Sequence, residues 1–132
     1  SICITENNKE IPRTKIAVFP ITVKNSLRQR SSFKMVIALS RVVDNDNNLI
    51  YTKTMPSSVL DSLDMGWLAD EDVFILDPGE SETKPVLVRP GKEAESGKYS
   101  FDVWMYTSIN PNDEPTTPYP DDRPKKITMS IT

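Results

Sequence analysis

Short stretches of strict alternation between apolar and polar residues recur along this chain, separated by clusters of proline, glycine, asparagine and aspartate. In Thr14–Asn25 the apolar side chains Ala17, Phe19, Ile21 and Val23 share one parity, which on a strand is one face of a sheet. Pro20 falls on the other parity and cannot donate to a ladder, so a bulge or an exposed edge is expected there. Phe33–Arg41 repeats the pattern with Phe33, Met35, Ile37 and Leu39 inward. The run Asp44-Asn45-Asp46-Asn47-Asn48 then supplies turn-tolerant residues, and Leu49–Met55 returns as the second arm of a hairpin.

Between Pro56 and Asp70 a short helical turn fits best. Ser57 or Ser58 is the expected cap, and Val59, Leu60 and Leu63 form the apolar side. Val73–Leu76 reads as a short strand closed by Asp77-Pro78-Gly79, and Glu82–Arg89 as another closed by Pro90-Gly91. Gly97–Ile109 is the strongest strand signal, with Tyr99, Phe101, Val103 and Met105 pointing one way. Lys126–Thr132 closes the series by alternating Ile127, Met129 and Ile131 with polar residues.

Seven or eight strands at this spacing predict an all-β fold, an immunoglobulin- or fibronectin type III-like antiparallel β-sandwich. No repeat of about 20–50 residues is present, which disfavours solenoids and propellers. The 132 residues amount to one domain. Because the chain starts at Ser1 and not at Met, it reads as a domain excised from a larger protein. Eleven prolines against four glycines fit ordered loops better than long helices.

Charge and composition narrow the chemistry. A net charge of −3 and a pI near 5.0 disfavour nucleic acid as a partner. No apolar run reaches the roughly 18 residues that span a bilayer, so no membrane insertion is expected within this segment. Cys3 is the single cysteine, so no internal disulfide forms. With no histidine in the chain, neither a Cys–His pair nor a Ser-His-Asp triad can be built. Cys3 is expected as a small buried residue of an edge strand.

Several segments, taken in order, carry a resemblance. These are Thr22-Val23-Lys24-Asn25; Gly66-Trp67 followed by Val73-Phe74-Ile75-Leu76-Asp77-Pro78-Gly79-Glu80-Ser81; Val86-Leu87-Val88-Arg89-Pro90; and Ala94-Glu95-Ser96-Gly97-Lys98-Tyr99-Ser100-Phe101. The series resembles prokaryotic Ig-like domains of the alpha-galactosidase-associated and CARDB-like group. It spans residues 1–109 and is densest over 66–107. The resemblance implies a repeated or accessory sandwich in cell-surface proteins and exported glycoside hydrolases, with an extracellular or cell-envelope location and no catalytic residues. Asp44–Asp64 and Asn110–Lys125 are longer than the pattern. Tyr99, two residues after Gly97, is placed to anchor its hydroxyl upstream as a tyrosine corner does, and Trp67 to be a core or core-edge aromatic.

Three groups of residues are candidates for chemistry. Asp44, Asp46 and Asn48 have the first spacings of a calcium loop. Leu49 and Met55 stand where that loop needs glycine and glutamate, so a solvated turn is the stronger reading and no metal or other cofactor is expected. The carboxylate clusters Asp70/Glu71/Asp72, Glu80/Glu82, Glu93/Glu95 and Asp121/Asp122 lie at turns, not on rigid walls of a cleft. On the strongest strand the parity opposite the core carries Ser100, Asp102, Trp104 and Tyr106. Asp102 suggests a wet face, which makes Trp104 and Tyr106 a candidate exposed aromatic pair, the other reading being that the long loops or a neighbouring domain cover the rings. Tyr119, between two prolines of the long 110–125 loop, is the third candidate contact, against a plain variable surface loop.

The function expected is therefore a non-catalytic module for protein interaction, adhesion or domain spacing. Its partners would be neighbouring domains or another surface protein. A carbohydrate-binding accessory domain of a glycoside hydrolase, with a glycan as ligand, is the alternative.

Overall fold

The computed structural model describes every residue from Ser1 to Thr132. Its elements in chain order are β1 (Ile2–Cys3), β2 (Asn8–Ile11), β3 (Ala17–Lys24), β4 (Ser31–Asp44), β5 (Leu49–Thr52), α1 (Ser57–Asp61), β6 (Met65–Ala69), β7 (Phe74–Leu76), β8 (Ser81–Pro90), β9 (Gly97–Ser108), β10 (Thr117–Pro118) and β11 (Lys125–Ile131). The small sheet has the order β1-β3-β8-β6, and the large one β2-β11-β9-β4-β5, with β7 added to β4 and β10 to β9. This is the strand order of an immunoglobulin-like sandwich.

The alternating residues do what their parity demands. Ala17, Phe19, Ile21 and Val23 from the small sheet meet Phe33, Met35, Ile37, Leu39, Tyr99, Phe101, Val103, Met105, Ile127, Met129 and Ile131 from the large one, all buried. Trp67, half-buried on β6, sets its ring edge-to-face against Phe101 with centroids 5.4 Å apart, joining the two layers. Tyr99 donates its hydroxyl to the Glu95 carbonyl at 2.7 Å, the corner expected of it. A Cβ on Gly97 would stand 2.2 Å from the Val43 carbonyl oxygen, so only glycine lets the chain enter β9 so close to β4.

Pro20 does not create a bulge. It pairs with Pro85 in an unbroken β3–β8 register, while β1 reaches only as far as Thr22 and β6 only to Val86. Each proline lies beyond the end of the neighbouring strand, where a missing N–H breaks no ladder. The bulge falls instead on β4 between Leu39 and Arg41. It resets the parity so that Leu39 and Val42, three positions apart, both face the core.

Other expectations need correction. α1 begins after Pro56 with no side-chain cap, so neither Ser57 nor Ser58 plays that part. The helical stretch ends early, and Met65–Ala69 is a strand. Cys3 does lie in an edge strand, but it is exposed. In a two-residue strand only one side chain can face inward, and Ile2 takes that place.

Candidate functional site

The outer face of the large sheet is formed by the polar parity of its central strands. Trp104 and Tyr106 lie two residues apart on β9 and therefore project from the same side. Their rings stack with centroids 6.1 Å apart and planes 16° from parallel, and both are half-buried. Register sets their neighbours: Val36 of β4 stands beside Trp104, and Lys34 of β4 and Pro118 of β10 flank Tyr106. Lys34, Val36, Tyr106, Pro115 and Thr116 line a shallow depression at one end of the pair. The 110–116 loop lies against the Ser32–Tyr106 end of this face, where Ser32 and Pro115 are buried, and the two rings stay partly open to solvent, framed by aliphatic and proline carbons.

Asp102, one step along the strand, is not the mark of a wet face. The residue is 1% exposed, and its carboxylate is held between the ammonium groups of Lys53 and Lys126. Lys53 and Lys126 are themselves largely exposed, so their stems cover the aspartate while their charged heads stay in water. Burial alone would raise the Asp102 carboxyl, but hydrogen bonds and charge from Lys126 and Lys53 hold it below the usual carboxylate value.

A depressed folded value means stability that is complete above the unfolded value and lost as pH falls through the folded one. Thermal melts from pH 7 down to pH 2 should therefore show Asp102→Asn less stable than wild type at pH 7, with the gap closing in acid. A gap that stays constant across that range would contradict the ion-pair account.

Tyr119 does not join the aromatic strip. It is 5% exposed, with its ring edge-on to Phe33 at 5.1 Å and its hydroxyl donating to the Lys24 carbonyl at 2.5 Å. The same hydroxyl accepts from the Ser26 amide at 2.9 Å. Tyr119 thus pins the long loop across one end of the sandwich. The loop is further tied down by Ser32, whose hydroxyl donates to the Asp113 carbonyl at 3.1 Å, and by a Lys34–Glu114 ion pair at 3.3 Å.

At the other candidate, the Asp44 carboxylate accepts from the backbone amides of Asp46 and Asn48 at 2.9 and 2.8 Å and from the Asn48 side chain at 3.2 Å. These bonds close a turn, and they hold the Asp44 carboxyl below its ordinary value. Asp70 is taken up by Lys84 at 2.7 Å and by the Asp72 amide at 3.0 Å. No group of three or more His, Cys, Asp or Glu side chains is arranged to hold a metal ion.

Sequence reasoning missed the frame of the site. Lys34 and Val36 lie on the outward parity of Phe33–Arg41, a legible signal, but that they sit beside Tyr106 and Trp104 depends on the β4–β9 register, which no local pattern encodes.

No family model matches the chain, and no curated protein matches it. Solved structures do share the fold. The PapD-like domain 7 of human CEP192, an ASH domain, is similar with a TM-score of 0.52 at 11% identity, covering 99% of this chain and 83% of that one. The class 5 fimbriae chaperone CfaA is similar with a TM-score of 0.50 at 10% identity, over 99% of this chain and 56% of the chaperone. A family 123 glycoside hydrolase from Clostridium perfringens gives a TM-score of 0.52 at 7% identity, over 95% of this chain and 22% of the hydrolase. At these identities the likeness establishes an Ig-like β-sandwich.

Proposed function

We propose that this chain is a non-catalytic Ig-like module that binds another protein through the outer face of its large sheet, with Trp104 and Tyr106 at the centre of the contact. The observation that carries this reading is the stacked pair itself, two large rings on the outer face of the large sheet, each partly open to solvent. Such a pair adds affinity by removing aromatic area from water, and the charged rim of Lys53, Lys126 and Glu114 sets orientation more than strength. The ordered motifs over residues 1–109 support a place among prokaryotic Ig-like surface and accessory domains, and hence in an exported or cell-envelope protein. The likeness to a fimbriae chaperone agrees with a protein partner.

The glycan reading has one observation in its favour: two neighbouring aromatic rings, a residue type against which sugar rings pack, are partly exposed on one sheet face. The two readings separate on one pair of experiments. Capture from an extract of the source cells by the wild-type chain should fall at least tenfold with Trp104→Ala/Tyr106→Ala, while a glycan array shows no signal. The double variant keeps its melting transition because neither ring belongs to the core. Equal capture by wild type and variant would sink the proposal, and array signal lost in the variant would replace it by the glycan reading.

A further inference from the structure

The small sheet has an outer face of its own, and it is apolar. Cross-strand register arranges it in rows: Ile16 precedes β3 beside Arg89 of β8 and Gly66 of β6, then come Val18, Leu87 and Leu68, then Pro20 and Pro85 with Asp70 just past β6. Leu68 is 68% exposed, Ile16 47% and Val18 41%. Ile16, Trp67, Leu68 and Leu87 with Gly66 and Arg89 line one depression on this side of the molecule. Exposed aliphatic side chains in adjoining rows of one sheet face are costly to leave in water.

The charges at the two ends of the patch differ in sign. Arg89 is exposed and has no carboxylate partner within the chain. At the opposite end Asp70 is followed by Glu71 and Asp72, all exposed. Asp70 is paired with Lys84, but a carboxylate accepts more than one such bond.

We propose that this face packs against the same face of a second copy, across a two-fold axis lying between the sheets and perpendicular to their strands. That operation reverses strand direction, so each strand lies over its counterpart, end for end. Leu87 then meets Leu87 of the second copy, Val18 meets Val18 and Leu68 meets Leu68. Ile16 lies over Pro20, and Arg89 reaches the neighbourhood of Asp70 in the other copy. The alternative axis, parallel to the strands, would bring Arg89 over Arg89 and is rejected by charge. Three strands about 4.8 Å apart over about 20 Å of their length give an area near 300 Å² per copy. That is under half of what a standard interface buries per partner, so the dimer is weak, with a dissociation constant of roughly 0.1–1 mM.

Sedimentation equilibrium and NMR linewidths on the 132-residue chain up to about 1 mM test this. The wild type should dimerise, and Arg89→Asp should weaken the dimer at least tenfold. The charge-swapped pair Arg89→Asp/Asp70→Arg should bring it back to within about threefold of wild type, with melting curves of all variants recorded alongside. Trp104→Ala/Tyr106→Ala should leave the dimer intact, because that pair lies on the other sheet. A wild type monomeric at 1 mM overturns the inference, as does a dimer indifferent to Arg89→Asp. So does a charge swap that folds but fails to restore association.

Discussion

Phe101→Ala is expected to remove about 3–5 kcal/mol of stability, the range for deleting a fully buried aromatic ring. Phe101 has no exposed surface, sits near the middle of β9, and receives the edge-to-face contact of Trp67 from the opposite sheet. Its loss opens a cavity between two layers whose positions are fixed by β4 and β11 on one side and β8 on the other, so collapse into the space is resisted. Trp67 also loses its aromatic partner, which adds to the simple transfer cost. Urea unfolding followed by tryptophan fluorescence should show a lowered midpoint at similar cooperativity. A cost below about 1 kcal/mol would mean that the sheets are not packed through this pair.

The second large effect is expected at a polar residue. Asn25 is completely buried, and its side chain closes the end of the sandwich: the amide donates to the carbonyls of Leu76 and Gln29 at 2.9 and 3.0 Å, and its oxygen accepts from the Leu27 amide at 2.9 Å. Its backbone adds bonds to Gly79 and Glu80, so one residue ties the end of β3 to the turn before β8. Asn25→Ala strands backbone groups, the Leu76 carbonyl in a buried position among them, and should cost about 2–4 kcal/mol. Asn25→Asp keeps the shape but loses both donated bonds and introduces a charge, so it should be at least as damaging. If Asn25→Asp melted like wild type at pH 7, the hydrogen-bond account of this corner would fail.

Asn25 also shows what a sequence does and does not disclose. It is visible as the end of a strand motif, but its role depends on Leu76, 51 residues away, and no spacing rule reports that contact. The long inward-facing rows on β3, β4, β9 and β11 were legible because burial on one face imposes a two-residue period over many positions. Met65–Ala69 was not, because a run of Met, Gly, Trp, Leu and Ala on an edge strand shows no alternation: Leu68 points outward as an apolar residue. β2 was missed for a related reason, since Asn8–Ile11 owes its strand form to parallel pairing with β11 at the far end of the chain.

The candidate site was legible in part. Trp104 and Tyr106 follow from the parity of β9, and the structure stacks them side by side, half-buried, on the outer face. Tyr119 misled because loop membership and proline neighbours say nothing about depth. Its ring is buried against Phe33 and its hydroxyl is spent on β3 and the following loop. Asp102 misled in the opposite sense, since a charged residue on the outer parity is buried once Lys126 of the adjoining β11 and Lys53 from the turn after β5 close over it.

The claim on which the functional account turns is that partners meet this chain at the Trp104–Tyr106 face. Photo-cross-linking addresses it most directly, with a benzoylphenylalanine placed at Tyr106 and, as a control, at the exposed turn residue Asn45 at the far end of β4. In an extract of the source cells the Tyr106 probe should yield a discrete protein adduct that an excess of unlabelled wild-type chain competes away, and the Asn45 probe should not. Adducts of equal yield from both positions, or none from Tyr106 under conditions where the wild-type chain retains its partner, would contradict the account.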